Sequence, residues 1–261
     1  MNRLIPLMLS IVIAAFACGC SAQSGSSASE APEKHTIEAD GSMDTVGDAL
    51  GADSFENLLD DHDSRYYVAN DFYNMKSKGG LHIIPEFETY QQTAEHTCGP
   101  ASALMVLNHY GNTEYNELEI SELAGTSTTT GTSVEGLAGF FEGIGWNVES
   151  NASTEPKFED IEEAEKFLIS NIDAGTPVMI DWEDWTGHWQ VVIGIDTCSK
   201  ISPYDDVLIV ADPYDVTDHY QDGYYTVPFG RFYGNMWREG PCAQKTVPYE
   251  QPYVIATPPK N

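Results

Sequence analysis

The sequence predicts an α+β domain whose helices come first and whose antiparallel sheet follows. Two observations carry this. Before about residue 175 the apolar residues recur at helical spacing, as in Ile161, Ala164, Phe167, Leu168 and Ile172. After it they gather in short unbroken runs, such as Val178-Met179-Ile180 and Val191-Val192-Ile193, which suit buried strands. Helices and strands segregated along the chain pack as α+β rather than as alternating βαβ units.

Strands are expected first around Tyr66-Tyr67-Val68 and Leu81-His82-Ile83-Ile84. A helix runs over about 100–110, because Pro100 suits a first helical position, where its missing N–H has no partner to lose. Residues 116–124 form a second helix through Leu118, Ile120 and Leu123. Ser133 N-caps a third, carried by Val134, Leu137, Phe140, Phe141 and Ile144 and stopped by Gly145. A short strand at 146–148 precedes a long amphipathic helix at 158–174, which Gly175 ends. Strands follow at 177–180, 189–195, 206–211 and 223–227, and 229–237 closes as a helix. A cleft between a helical lobe and a strand lobe then sets Cys98 opposite His188.

Ahead of the domain, Met1-Asn2-Arg3 is a short positive region and 4–16 an apolar one too short for an ordinary spanning helix. It ends in Ala17-Cys18-Gly19-Cys20. Small residues before a cysteine resemble a bacterial lipoprotein signal, with Cys20 lipidated and Cys18 the second choice. Residues 1–20 are therefore expected as signal peptide. Residues 21–62 are Ser-, Gly- and Ala-rich and then acidic, and are expected as a flexible linker. Residues 63–261 are the domain, and the protein is expected outside the cytoplasm on a lipid anchor.

A formal net charge of −29 excludes nucleic acid as a partner, since phosphate contacts need Lys and Arg clusters. The chain has five cysteines. With Cys18 and Cys20 in the signal region, a disulfide between Cys198 and Cys242 leaves Cys98 free. No CxxC pair supports a structural zinc, and no cofactor is expected. Asp212, Asp215, Asp218 and Asp222 recur closely enough to raise calcium, but the spacing is not that of an EF-hand and a turn-rich surface is favoured.

The chemistry concentrates in three places. Gln92 stands six residues before Cys98, at the start of an apolar helix. A thiol there faces the positive end of the helix dipole. Far downstream come Gly187-His188-Trp189 and Ala211-Asp212-Pro213. Cysteine, histidine and aspartate in that order, with a glutamine ahead, is the layout of a thiol-nucleophile enzyme. His96 and His109 are the competing histidines, Asp196 the competing carboxylate and Gln91 the competing amide. Trp182, Trp185 and Trp189 flank His188 and are candidates for a substrate-cleft wall or, equally, for core aromatics.

Gln92-x5-Cys98-Gly99-Pro100-Ala101-Ser102, Gly187-His188-Trp189-Gln190-Val191-Val192-Ile193-Gly194 and Asp212-Pro213 together resemble the papain-like cysteine peptidases. The similarity is strongest to the branch that removes double-glycine leaders from bacteriocin precursors, and Gly131-Thr132-Ser133 before a helix adds to it. The resemblance covers about 80–240. It implies a two-lobed fold with the nucleophile on a central helix packed against an antiparallel sheet. It also implies a peptide or protein substrate, with Cys98 as nucleophile, His188 as acid and base, Asp212 as orienter and Gln92 as oxyanion donor. Extra length between His188 and Asp212, around Cys198, reads as an inserted hairpin loop. An acyl or peptidyl transferase of phytochelatin-synthase type would use the same triad. A binding lipoprotein without turnover is the alternative from another class.

Overall fold

The computed structural model describes residues 31–45, 51–52, 68–183, 186–198, 202–216, 220–238 and 249–260. Cys18, Cys20, Tyr66, Tyr67, Trp185, Asp218 and Cys242 lie outside them. Among the described residues no helix is long and apolar enough to cross a membrane.

Helix α1 spans Cys98–His109, so Cys98 is its first residue and Pro100 its third. The expected start was two residues late, because proline is tolerated throughout a first turn that lacks backbone acceptors. Helix α2 spans Glu117–Leu123 and begins in a reciprocal cap. Asn116 accepts from the Glu119 amide and Glu119 accepts from the Asn116 amide. Helix α3, Val134–Gly143, is capped by Ser133 as expected, and α4, Ile161–Asp173, by Asp160. Residues 229–237 form not one helix but a short turn, Phe229–Arg231, followed by a wide π-type turn, Phe232–Met236.

Among the described residues seven strands follow one another as β1 Leu81–Ile83, β2 Asn147–Asn151, β3 Val178–Glu183, β4 Gly187–Asp196, β5 Val207–Ala211, β6 Tyr224–Pro228 and β7 Tyr253–Thr257. All their pairings are antiparallel, in the order β2-β7-β3-β4-β5-β6. Strand β1 pairs with the far end of β4, opposite Gly194 and Asp196. Strand β7 was not expected from the sequence. It slots between β2 and β3 and ties β2 into the sheet.

Strand β4 is the axis of the molecule. It is buried at eight successive positions, because α1 and α4 both pack against it. Alternation along a strand puts His188 and Gln190 on one face and Trp189 and Val191 on the other. Trp182, directly across from His188 on β3, is fully buried, and Trp189 is buried with its indole N–H on the Thr132 carbonyl at 2.8 Å. Both tryptophans are core residues rather than cleft walls. A strand covered on both faces leaves its aromatics no rim to occupy.

Part of the expected linker is folded against the domain. The Ile37 amide donates to Thr89 O at 2.7 Å and the Thr89 amide to His35 O at 3.0 Å. His35 stacks on Tyr73 at 3.6 Å between ring centroids. Met43 and Ala52 are buried, and the Ala52 amide donates to Gln92 O at 2.8 Å. Gly51 is required there, since a Cβ would stand 2.2 Å from Gln92 O. An acidic, aromatic-poor segment has no core of its own, but this one uses the domain's main-chain groups and two small buried anchors. Met43→Ala is expected to lower the unfolding free energy by about 2 kcal/mol, read from urea denaturation of the chain. An unchanged midpoint would show that the anchor contributes nothing.

Candidate active site

The site is built where the N-terminus of α1 meets the start of β4. Cys98 sits on the first turn of α1 at 8 % exposure. Thr97 provides no side-chain cap, which leaves the first amides of the helix without one. Uncapped amides at a helix N-terminus are suited to negative charge. Gly99 is required beside the thiol, because a Cβ there would meet the Thr132 side chain at 2.8 Å.

His188 Nε2 is 2.7 Å from Asp212 Oδ1, and both side chains are buried. The Cys98 side chain is close enough to the imidazole to act on its charge, and Nε2 is taken by Asp212, which leaves Nδ1 as the ring's other nitrogen. Burial disfavours a charged imidazole. The Asp212 carboxylate and the Cys98 side chain favour it more, and together they push the His188 pKa up to about 10. Asp212 Oδ1 also accepts from the Tyr214 amide at 2.8 Å, which fixes the carboxylate just beyond β5. His188, Cys98 and Asp212 are thus brought together by α1, β4 and the end of β5.

Gln92 is 1 % exposed and lies on the loop that leads into α1. Its side-chain Nε2 donates to Ala94 O at 2.7 Å and to Glu95 O at 3.1 Å. Its amide donates to Pro213 O at 2.8 Å, so the loop before the cysteine is stitched to the segment carrying Asp212. Gln91 reinforces the same seam. Its Nε2 donates to Asp212 O at 2.8 Å, and its Oε1 accepts from the Asp215 amide at 3.1 Å.

Two of the competing residues, His109 and Asp196, fall elsewhere. His109 faces Gly175 O at 2.9 Å, and burial lowers its pKa. Asp196, at the far end of β4, accepts from the Cys198 amide. Asp215 and Asp222 are buried turn residues whose carboxylates accept from the Gly223 and Tyr224 amides, each at 3.0 Å. Among the described residues no group of acids, histidines and cysteines is placed to hold a metal ion. Cys198 is exposed and free in the structure. Sequence reasoning missed Glu117, a buried carboxylate on the loop side of α2. The only signal was its position, two residues before the Glu119 that completes the cap.

The chain belongs to the Peptidase_C39 like family, whose sequence profile matches residues 84–241. It is accordingly a cysteine peptidase, with the α+β fold of the papain-like enzymes. Among solved structures, the peptidase domain of Streptococcus ComA, described as a bi-functional ABC transporter involved in a quorum-sensing pathway, is similar. It shares 19 % identity at a TM-score of 0.43, over 65 % of this chain and 96 % of that one. A double-glycine-motif protease from an AMS/PCAT transporter, solved with its leader peptide, shares 16 % identity at a TM-score of 0.41, over 66 % of this chain and 91 % of that one. No curated protein matches the chain.

Proposed function

We propose that the protein is an extracytoplasmic cysteine peptidase, held on the membrane by a lipid on Cys20, that hydrolyses peptide bonds. Cys98 Sγ attacks the scissile carbonyl carbon and forms a thioester as the C–N bond breaks. His188 Nδ1–H gives its proton to the departing amine, then takes one from the water that cleaves the thioester. Asp212 holds the imidazole's orientation and stabilises its charge. Gln92 Nε2 and the Cys98 amide receive the developing oxyanion. A bond to that anion is charge-assisted and outcompetes the neutral carbonyls of Ala94 and Glu95.

The observation that carries this reading is the buried His188, hydrogen-bonded to Asp212 at 2.7 Å, with the Cys98 side chain near enough to favour its charged form. An imidazolium beside a thiol is the arrangement that activates cysteine nucleophiles. Alkylation of Cys98 by iodoacetamide at pH 6 tests it: fast in the wild type and slow in His188→Ala. Equal rates in the two proteins would remove His188 from the pair. The anchor is tested separately by labelled palmitate, whose incorporation is lost in Cys20→Ala.

A further inference from the structure

We infer that Glu117 is a positioning residue for the oxyanion arm, residues 90–97; this rests on the reading of Gln92 given above. Glu117 opens α2, yet the helix does not need it as a cap, because Asn116 and Glu119 already cap each other. Its carboxylate turns inward instead and is 1 % exposed. There it accepts from the Tyr90 hydroxyl at 2.8 Å, the Thr93 hydroxyl at 2.6 Å and the Thr93 amide at 3.1 Å. Tyr90 and Thr93 bracket Gln92 in the chain. One carboxylate therefore grips the arm on both sides of the residue assigned to the oxyanion.

Gln92 itself is fixed at its backbone from two other directions, its amide on Pro213 O and its carbonyl on the Ala52 amide. The Glu117 grip completes this frame from the helical side. Among the described residues no Lys, Arg or His pairs with Glu117. Burial pushes its pKa up, while the donors on Thr93, Thr97 and Tyr90 pull it back. A buried charge without a counter-charge is costly, and an apolar side chain would fill the space more cheaply. What an apolar side chain lacks is an acceptor that can take three donors at once, from two loop residues, in one geometry.

Glutamine at this position keeps the shape and replaces half of the acceptor with an NH₂ that faces donors. The arm then loosens, while the thiol and imidazole, held by α1 and β4, stay in place. The test measures hydrolysis of p-nitrophenyl acetate and alkylation by iodoacetamide on the whole chain. The ester reaction needs the oxyanion site; the alkylation needs only the activated thiol. Glu117→Gln is expected to lower kcat for the ester by about tenfold or more. KM and the alkylation rate should stay within about twofold. Thr93→Val, which removes one donor, should give a smaller loss of the same kind, and Thr93→Ser should restore the rate. These threonine variants decide the matter if Glu117→Gln does not fold. An unchanged kcat, or alkylation falling in step with kcat, overturns the inference alone. Wild-type ester turnover no faster than that of Cys98→Ala overturns the active-site reading beneath it, and this inference with it.

Discussion

The Cys98→Ala protein is expected to lose about 10⁶-fold in kcat and to hydrolyse neither peptide nor activated ester above the roughly 10³–10⁴-fold residue over water that the oxyanion site and binding supply. Its melting temperature should stay within about 2 °C of the wild type. Both halves follow from where the residue sits. Cys98 is the first residue of α1, so alanine, the best helix former, costs the helix nothing. The sulfur lies at the edge of the core rather than in its middle, so its loss leaves little cavity. The bond between His188 and Asp212 does not pass through it and survives. Ester and peptide progress curves alongside calorimetry check the prediction. A large drop in melting temperature with activity retained would mark Cys98 as a structural thiol.

Much of this site was legible because its members sit at element ends. Cys98 opens a helix, His188 is the second residue of a strand and Asp212 directly follows one, and each position is marked by neighbouring glycine or proline. Local sequence says where an element begins, so it also says which side chains project from its end. Glu117 was not legible for the opposite reason. Its role depends on Tyr90 and Thr93, some two dozen residues earlier in the chain. Nothing around Glu117 distinguishes a buried carboxylate from a solvated first-turn acid, which is common at helix starts. Strand β7 was missed similarly. Tyr253–Thr257 is a good β-branched and aromatic run, but its place between β2 and β3 is a property of the sheet. Met43 and Ala52 lie in a stretch with the composition of a linker and are buried nonetheless. Composition measures whether a segment can fold alone, not whether a neighbouring surface can hold it.

Removing the Asp212 carboxylate should act through the imidazole, and the effect can be followed on His188 itself. The folded pKa of His188 is raised to about 10 although burial works against it. In Asp212→Ala the larger opposing contribution is gone, while burial and the smaller Cys98 contribution remain. The midpoint of the imidazole's NMR titration is therefore expected to fall from about 10 toward the ordinary value of about 6.5. At pH 7.5 the imidazolium is then depleted, and kcat/KM should fall by about 10³-fold or more. Stability should fall too, by about 3 kcal/mol near neutral pH, since a buried charge pair has lost one partner. The pH dependence has a definite sign. A raised histidine pKa contributes stability that is fully present below the unfolded value of about 6.5 and disappears as pH rises through the folded one. The gap between wild type and Asp212→Ala should therefore be widest near pH 6 and should narrow toward pH 10. Asp212→Asn separates charge from orientation. Asparagine can still accept from the Tyr214 amide and hold the ring, as it does in other Cys-His enzymes, but it brings no charge. It should lower the His188 midpoint nearly as far as alanine does, while retaining more of kcat. A midpoint near 10 in Asp212→Ala would mean that another group supplies the field, and Asp212 would no longer be the partner that sets the protonation of His188.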